Sequence, residues 1–387
     1  STGQTEVNQT SGSIHREYSS TLKSVANAGD PRFEYSPTDG QSVGTALGLL
    51  VESQSSNLLT YSEDWTNSDF TKFVAITSNA GIAPTGELSA DLVAATSSLG
   101  DHITRQSLTV VSGQTYTLSV FSKASGCNFV RIGGASTAAM PAQASFDLVN
   151  GTVGTVDYGT AKIEDVGNGF YRCSVTGTAA SSTSTHVEIR LMQSDNTPSW
   201  TGDDYSGLLL FGQMAEQSSS VSSYIATTSS QVSRAADSCS VDLSATNYSG
   251  GEGSLVVDLS VNGRTSGIGA VISDGSTENY YQVGQFASSL TYILYSELNN
   301  SVQANITQAE TSIGSKKLAA SWDTNDISAC LDGGAVTTDT SNAFPLLTDL
   351  DIGSNPTGAA VLNGHIKRLS LFNVALSDVE LQSLTTI

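Results

Sequence analysis

The sequence predicts an all-β protein: two tandem antiparallel β-sandwiches of jelly-roll type. An extended or short-helical N-terminal segment precedes them and a short helix closes the chain. Three observations carry this reading. Among 387 residues there are 36 glycines and only 14% charged side chains, with 38% hydrophobic residues. That profile favours many short strands joined by turns, with enough apolar surface for real cores. Apolar residues alternate with Ser and Thr at a period of two over several runs, the pattern of strands with one buried face. Turn signals punctuate those runs at short intervals, as in a sandwich.

The elements follow in order. Within residues 1–30, Ile14, Tyr18, Leu22 and Val25 stand at helical spacing. They predict one short amphipathic helix, with a flexible lead-in as the alternative. Asp30 to Gly40 reads as a strand fragment followed by a Pro/Asp/Gly turn. Between 57 and 230, Tyr116, Leu118 and Val120 share one strand face, with hydroxyl residues between them facing water. Val187, Ile189 and Leu191 do the same. Each such side chain contributes about 1.5–3 kcal/mol when buried, which fixes the register of a strand. The turns are Ser112-Gly113, Asn150-Gly151, Gly167-Asn168-Gly169 and Thr201-Gly202.

A Ser-rich stretch over 218–233 lowers the hydrophobic density, and Arg234-Ala235-Ala236-Asp237 opens something new. Leu255, Val257, Leu259 and Val261 then share a face, and 319–323 with 327–334 reads as a strand pair closed by an Asp-Gly turn. The closing helix begins with Ser377 as N-cap and Glu380 three positions on, a capping box flanked by Leu376 and Leu381. No internal repeat links the two halves.

Charge narrows the partners. With 37 acidic against 16 basic residues the formal net charge is −21. A field of that sign repels phosphate backbones, so nucleic acid is not an expected partner. No apolar run approaches the ~18 residues of a membrane-spanning helix. Cys127, Cys173, Cys239 and Cys330 are scattered without CxxC spacing, so buried free thiols are expected over a zinc site; 127–173 and 239–330 are the pairings open within each half.

Catalytic patterns are sparse. Gly40-Gln41-Ser42-Val43-Gly44 matches GxSxG, but Pro37 and Gly40 precede it and a glycine-rich stretch follows, so a surface turn is expected. His15, His102, His186 and His365 show no metal spacing. The adjacent acids Asp203-Asp204 and Glu63-Asp64 point to opposite faces if extended, unlike the paired carboxylates of a glycosidase. No catalytic residue is assigned. Trp65 and Trp322 read as core. Trp200, in a polar loop with Asp203, Asp204 and Tyr205, is a candidate glycan contact. A second candidate is the oxygen-rich turn at Asp274, Glu278 and Asn279, followed by Tyr280. Its ligands suit sugar or Ca²⁺, and a solvated hairpin tip fits equally; no cofactor is required.

Three blocks resemble a carbohydrate-binding-module-like jelly roll of tailed-bacteriophage fibres and spikes. The first spans 48–65 and contains Asn57-Leu58-Leu59-Thr60-Tyr61-Ser62-Glu63-Asp64-Trp65. The second runs from Phe146-Asp147-Leu148-Val149-Asn150-Gly151-Thr152 to Gly169-Phe170-Tyr171-Arg172-Cys173. The third joins Ser223-Tyr224-Ile225-Ala226-Thr227-Thr228 to Arg234-Ala235-Ala236-Asp237. At Ala226 relatives often carry Pro. The C-terminal half resembles a laminin-G/concanavalin-like lectin sandwich, through its closing run from Leu362-Asn363-Gly364-His365 to Leu381.

The resemblance implies an N-terminal attachment segment at 1–44, a jelly roll at 45–237 and a lectin-like sandwich at 238–387. It further implies a non-enzymatic protein of the virion surface, on a tail or capsid fibre, that binds host-surface polysaccharide. The N-terminal segment would contact other virion proteins, and the assembly would be a homotrimer without membrane insertion. Two alternatives stay open: a capsid decoration or head fibre with no specific ligand, and a polysaccharide depolymerase.

Overall fold

The computed structural model describes residues 5–8, 13–16 and 22–24 as backbone strands. It also describes residues 31–387 apart from 36–44, 247, 249, 263–266, 287–289, 310–311 and 341–346. The GxSxG stretch at 40–44 lies outside the described residues. Within them the protein is nearly all β, with four large antiparallel sheets and one α-helix, Asp378–Thr385.

The first sandwich stacks two sheets. One runs Thr152–Tyr158, Gln143–Asp147, Phe129–Gly134, Thr183–Met192, Leu99–Val110 and Ser199–Thr201, with Phe70–Lys72 also paired to Leu99–Val110. The other runs Thr160–Gly167, Phe170–Thr178, Thr115–Ser125, Gly207–Glu216, Leu88–Ala94 and Ala75–Ile82. Between them lie Tyr116, Leu118, Val120, Val187, Ile189 and Leu191, as the alternation predicts, together with Trp65. The hydroxyl residues do not all face water: Thr117 and Ser119 are buried. The connector after Glu216 lies over that face. Thr117 Oγ1 donates to the Ser218 carbonyl at 3.0 Å, and Phe121, Phe211 and Tyr224 form a small core of their own on this side.

The second sandwich stacks Thr5–Asn8, Ser238–Asp242, Asp349–Ile352, Gly267–Ser273, Tyr280–Phe286, Leu290–Leu298 and Ser301–Ala309 against a second sheet. That sheet runs Thr337–Asp339, Asp326–Leu331, Gly314–Asp323, Gly253–Val261, Gly364–Phe372, Ala46–Val51 and Phe33–Tyr35. Trp322 is fully buried in this core and stacks on Tyr281, ring centroids 4.9 Å apart. Its indole N–H donates to Tyr248 Oη and the Gly251 carbonyl. The helix packs on the outside through Leu381, and its start is the expected capping box: the Ser377 N–H donates to the Glu380 carboxylate at 2.8 Å. All four cysteines are buried and unpaired.

Three placements differ from the sequence reading. Ala46–Val51 hydrogen-bonds to Gly364–Phe372, and Leu49 and Val51 belong to the second core. From Ala46–Val51 on the second sandwich the chain crosses to build the first, and it returns to the second at Ser238–Asp242. Ser13–Arg16 pairs with Leu22–Ser24, with Ile14 opposite Ser24 and Arg16 opposite Leu22, where a helix was expected. An isolated helix this short is marginal, and pairing with Tyr224–Ile225 offers the backbone a ready-made partner. Tyr18 and Val25 lie outside the described residues. Finally, the hairpin of Gly314–Asp323 with Asp326–Leu331 closes at Thr324-Asn325, Asn325 having φ 53°. Asp332 and Gly333, at φ 50° and 70°, form the turn after it.

Candidate functional site: a groove on the first sandwich

The strand Leu99–Val110 alternates inward and outward side chains. His102, Thr104 and Gln106 sit opposite Leu191, Ile189 and Val187, which are core positions, so Asp101, Ile103 and Arg105 face out. Across the outer face these continue into a ladder of charges. Arg190 meets Asp101 at 2.9 Å and Glu188 at 3.3 Å, and Glu188 meets Arg105 at 3.4 Å. The Arg105 guanidinium stands 5.8 Å from the centroid of the Phe73 ring, within range of a cation–π contact. Further along, Arg131 donates to Asn196 and Gln143 and pairs with Asp157.

Beside the ladder lies an open groove of about 560 Å³, walled by 72–74 on one side and 96–103 on the other. Phe73 is 51% exposed there and Leu99 75%. Two large apolar groups left in water at the edge of a fixed array of carboxylates and guanidinium groups make an amphipathic surface. An aromatic face takes the C–H face of a pyranose, while paired charges hold hydroxyls without desolvating a free ion. Lys72 is not free for this role, because its ammonium donates to the Thr66 and Asn67 carbonyls at 2.7 Å each.

None of the residues expected at a glycan site in this half lines the groove. Trp200, expected as a glycan contact, is 8% exposed and packs in the core. Its strand, Ser199–Thr201, pairs with the start of Leu99–Val110, Trp200 opposite Gly100. The buried His102 ring meets Trp200 edge-on at 4.7 Å and its Nε2 lies 3.1 Å from the Trp200 carbonyl. Asp204 accepts from the Ser97 N–H at 2.8 Å. Asp203 accepts from the Ser206 and Tyr205 N–H groups and the Ser206 hydroxyl, bonds that hold its carboxyl at about 2. These two acids tie the loop. Asp203, Asp204 and Tyr205 are all exposed, Tyr205 the most at 80%. Phe73 and Leu99 were missed; their only sequence signal is an apolar side chain at a strand end with no inward-facing partner.

On the second sandwich, Asp274 is tied into its own hairpin tip, accepting from the Ser276 N–H and from Asn279 Nδ2 at 2.7 Å. Asn279 Oδ1 accepts from the Asn299 N–H at 2.8 Å, and Glu278 is exposed. Among the described residues no group of three or more potential metal ligands gathers. Tyr280 lies beside Tyr295, ring centroids 6.1 Å apart, and burial together with Glu297 pushes its hydroxyl up to about 12.

One further constellation has the residue types of a hydrolytic triad. His365 Nε2 stands 2.7 Å from Glu34, and its Nδ1 3.4 Å from Ser260 Oγ. Ser260 is the direct cross-strand neighbour of His365, and Glu34 sits on the sheet-edge strand Phe33–Tyr35. The imidazole holds that edge strand in place, and the Ser–His contact exceeds hydrogen-bond length for an activated hydroxyl.

The fold defines a tandem β-sandwich protein. No protein-family model matches the chain, and no curated protein does. Among solved structures it is similar to the CBM40 of the Ruminococcus gnavus IT-sialidase bound to α2,6-sialyllactose, at 15% identity and TM-score 0.30, over 37% of this chain and 90% of that one. It is also similar to the NanB sialidase of Streptococcus pneumoniae, at 18% identity and TM-score 0.30, over 37% of this chain and 26% of that one. Domains LG4-5 of the mouse laminin α1 chain match at 11% identity and TM-score 0.26, over 73% of this chain and 90% of theirs. None of these likenesses assigns a ligand to this chain.

Proposed function

We propose that this protein is a non-catalytic glycan-binding protein whose first sandwich takes a sugar in the groove at Phe73 and Leu99. The observation that carries the reading is the pairing of an exposed aromatic platform with the locked ladder Asp101–Arg190–Glu188–Arg105 along one open groove. The ladder is pre-organised, so binding would not have to order its side chains, and that lowers the entropic cost of holding a ligand. The phage-fibre wording of the three sequence blocks supports a place on a virion surface and host polysaccharide as the ligand. In the same reading the N-terminal segment faces other virion proteins and the assembly is a homotrimer.

A glycan array probed with the purified chain, followed by cell adsorption, tests this. Binding to one glycan class, lowered at least tenfold by Phe73→Ala and by Arg190→Ala, is the expected result. Binding that neither variant changes would remove the groove from the account. A protein that binds no glycan or host cell, and whose loss weakens the particle, would be the purely structural decoration. New reducing ends released from a bound polysaccharide would make it a depolymerase.

A further inference from the structure

The second sandwich carries a small pit with chemistry of its own. It opens on the outer face of a sheet, where Val271, Gln282 and Tyr295 are cross-strand neighbours in one row and Ser273, Tyr280 and Glu297 in the next. Their alternates Ala270, Ile272, Tyr281 and Val283 fill the core, so Val271 and Gln282 point away from it. Both are nonetheless buried, because the loop through Asn355 and Pro356 folds back over this face, anchored where the Ile268 N–H donates to the Ala360 carbonyl. Val271, Thr277, Tyr280, Gln282, Asn355 and Pro356 enclose about 90 Å³.

Gln282 is 5% exposed, and its Nε2 has no hydrogen-bond partner among the described residues. A buried amide donor left unmade is costly, and a ligand carbonyl in the pit would supply the missing acceptor. Asn355 spends its Oδ1 on the Thr357 and Ala359 N–H groups and the Thr357 hydroxyl, which makes the pit's lip rigid. Val271 and Pro356 supply apolar wall. The surroundings are acidic: Asp351 is the cross-strand neighbour of Val271, Asp349 of Ser273 and Glu297 of Tyr280. An anionic group is therefore repelled. At roughly 30 Å³ per water, the space is that of about three waters. It takes an arm of four heavy atoms and excludes a sugar ring.

We propose that this pit is a subsite for the N-acetyl arm of a neutral amino sugar, a second glycan contact on a separate sandwich from the groove. The methyl group packs on Val271 and Pro356, the carbonyl accepts from Gln282 Nε2, and the sugar ring rests at the mouth against Tyr280. This rests on the reading of the protein as glycan-binding, and adds the group that its second sandwich selects.

Calorimetric titration of the full chain with a β-1,4-linked N-acetylglucosamine trisaccharide, and with the matching glucose trisaccharide, tests it. The acetylated sugar should bind at least tenfold more tightly. That preference should vanish in Gln282→Leu and in Thr277→Phe, whose exposed rim position keeps the test valid if the first variant misfolds. Phe73→Ala should leave the preference intact. Equal affinity for the two sugars, no binding of the acetylated one, or a preference that survives Thr277→Phe overturns the subsite. A preference abolished only by Phe73→Ala overturns it too and leaves the groove standing. A preference unaffected by Phe73→Ala, with no other glycan lost in that variant, sinks the groove and keeps the pit.

Discussion

Arg32 and Asp237, 205 residues apart in the chain, form an ion pair buried at the seam between the two sandwiches. Arg32 also donates to Glu52 at 2.7 Å and to Ser223 Oγ at 2.9 Å. Glu52 and Asp237 are cross-linked in turn: the Glu52 N–H donates to the Asp237 carboxylate, and the Asp237 N–H to the Glu52 carbonyl. Arg234 completes the cluster, 3.5 Å from Glu52, and donates to the Ser53 carbonyl. The chain leaves the second sandwich at Glu52 and re-enters it at Asp237, so this cluster welds the crossing and return strands together.

Removing Arg32 leaves two buried carboxylates facing one guanidinium. Breaking a buried pair in this way costs about 3–5 kcal/mol. Arg32→Ala should lower stability by that amount in urea titration and split one melting transition into two, as the sandwiches uncouple. A single unshifted transition would show that the seam contributes little.

Glu52 supplies a pH signature. Burial pushes its carboxyl up, but Arg234 and Arg32 outweigh that and hold it at about 2. An unfolded glutamate titrates near 4.3. Its contribution is therefore fully present above about 4.3 and is lost as pH falls towards about 2. Asp237 shifts the other way, since burial outweighs its arginines. The melting-temperature gap between the native chain and Glu52→Gln should be widest at neutral pH and narrow below about pH 4.

Gly48 sits where Ala46–Val51 joins the second sandwich, at φ +118°, and a Cβ there would come within 2.4 Å of the Ile366 carbonyl oxygen. Gly113 also has positive φ, at +79°, but open space around it. Backbone strain of this kind costs about 1–3 kcal/mol. Gly48→Ala should lie at or beyond the upper end in chemical denaturation and Gly113→Ala near the lower.

Trp200 supports the groove from beneath. Trp200→Ala should cost about 3–5 kcal/mol, the range for emptying a large aromatic site, and weaken groove binding as the 99–101 segment loosens. Tyr205→Ala, at an exposed position, should stay within about 0.5 kcal/mol of the native stability. If Tyr205→Ala alone abolished glycan binding, the loop would be a direct contact instead.

Asp351 is pushed up to about 6 by burial and by Asp349. A carboxyl raised in the folded state weakens stability as pH climbs from about 4 through 6, because the folded chain gives up its proton reluctantly. Asp351→Asn should raise the melting temperature at pH 7.5 and flatten the gain otherwise seen on acidification to pH 5.

The sequence blocks at 48–65, 146–173 and 223–237 are tied together by buried polar side chains. Asn57 of the first block donates to the Gln213 and Ile225 carbonyls and accepts from the Leu59 and Ala215 N–H groups. Ser62 bonds Tyr224 and Thr227 of the third block, and Arg172 of the second donates to the Ser222 carbonyl. Glu52, Arg234 and Asp237 are the weld itself. These motifs are legible because buried polar groups must be satisfied by particular partners, which restricts residue type strongly. They report construction.

What the amino-acid order determined alone was local: strand faces at Tyr116–Leu118–Val120 and Val187–Ile189–Leu191, the capping box at Ser377 and Glu380, and the burial of Trp65 and Trp322. Each rests on a period or a spacing of a few residues. Tertiary structure decided which sandwich Ala46–Val51 joins, that Trp200 lies beneath the groove while Phe73 and Leu99 line it, and that Gln282 faces a pit. Those outcomes depend on pairings between residues tens to hundreds apart, where a strand edge or a covering loop sets exposure and no local pattern records the partner.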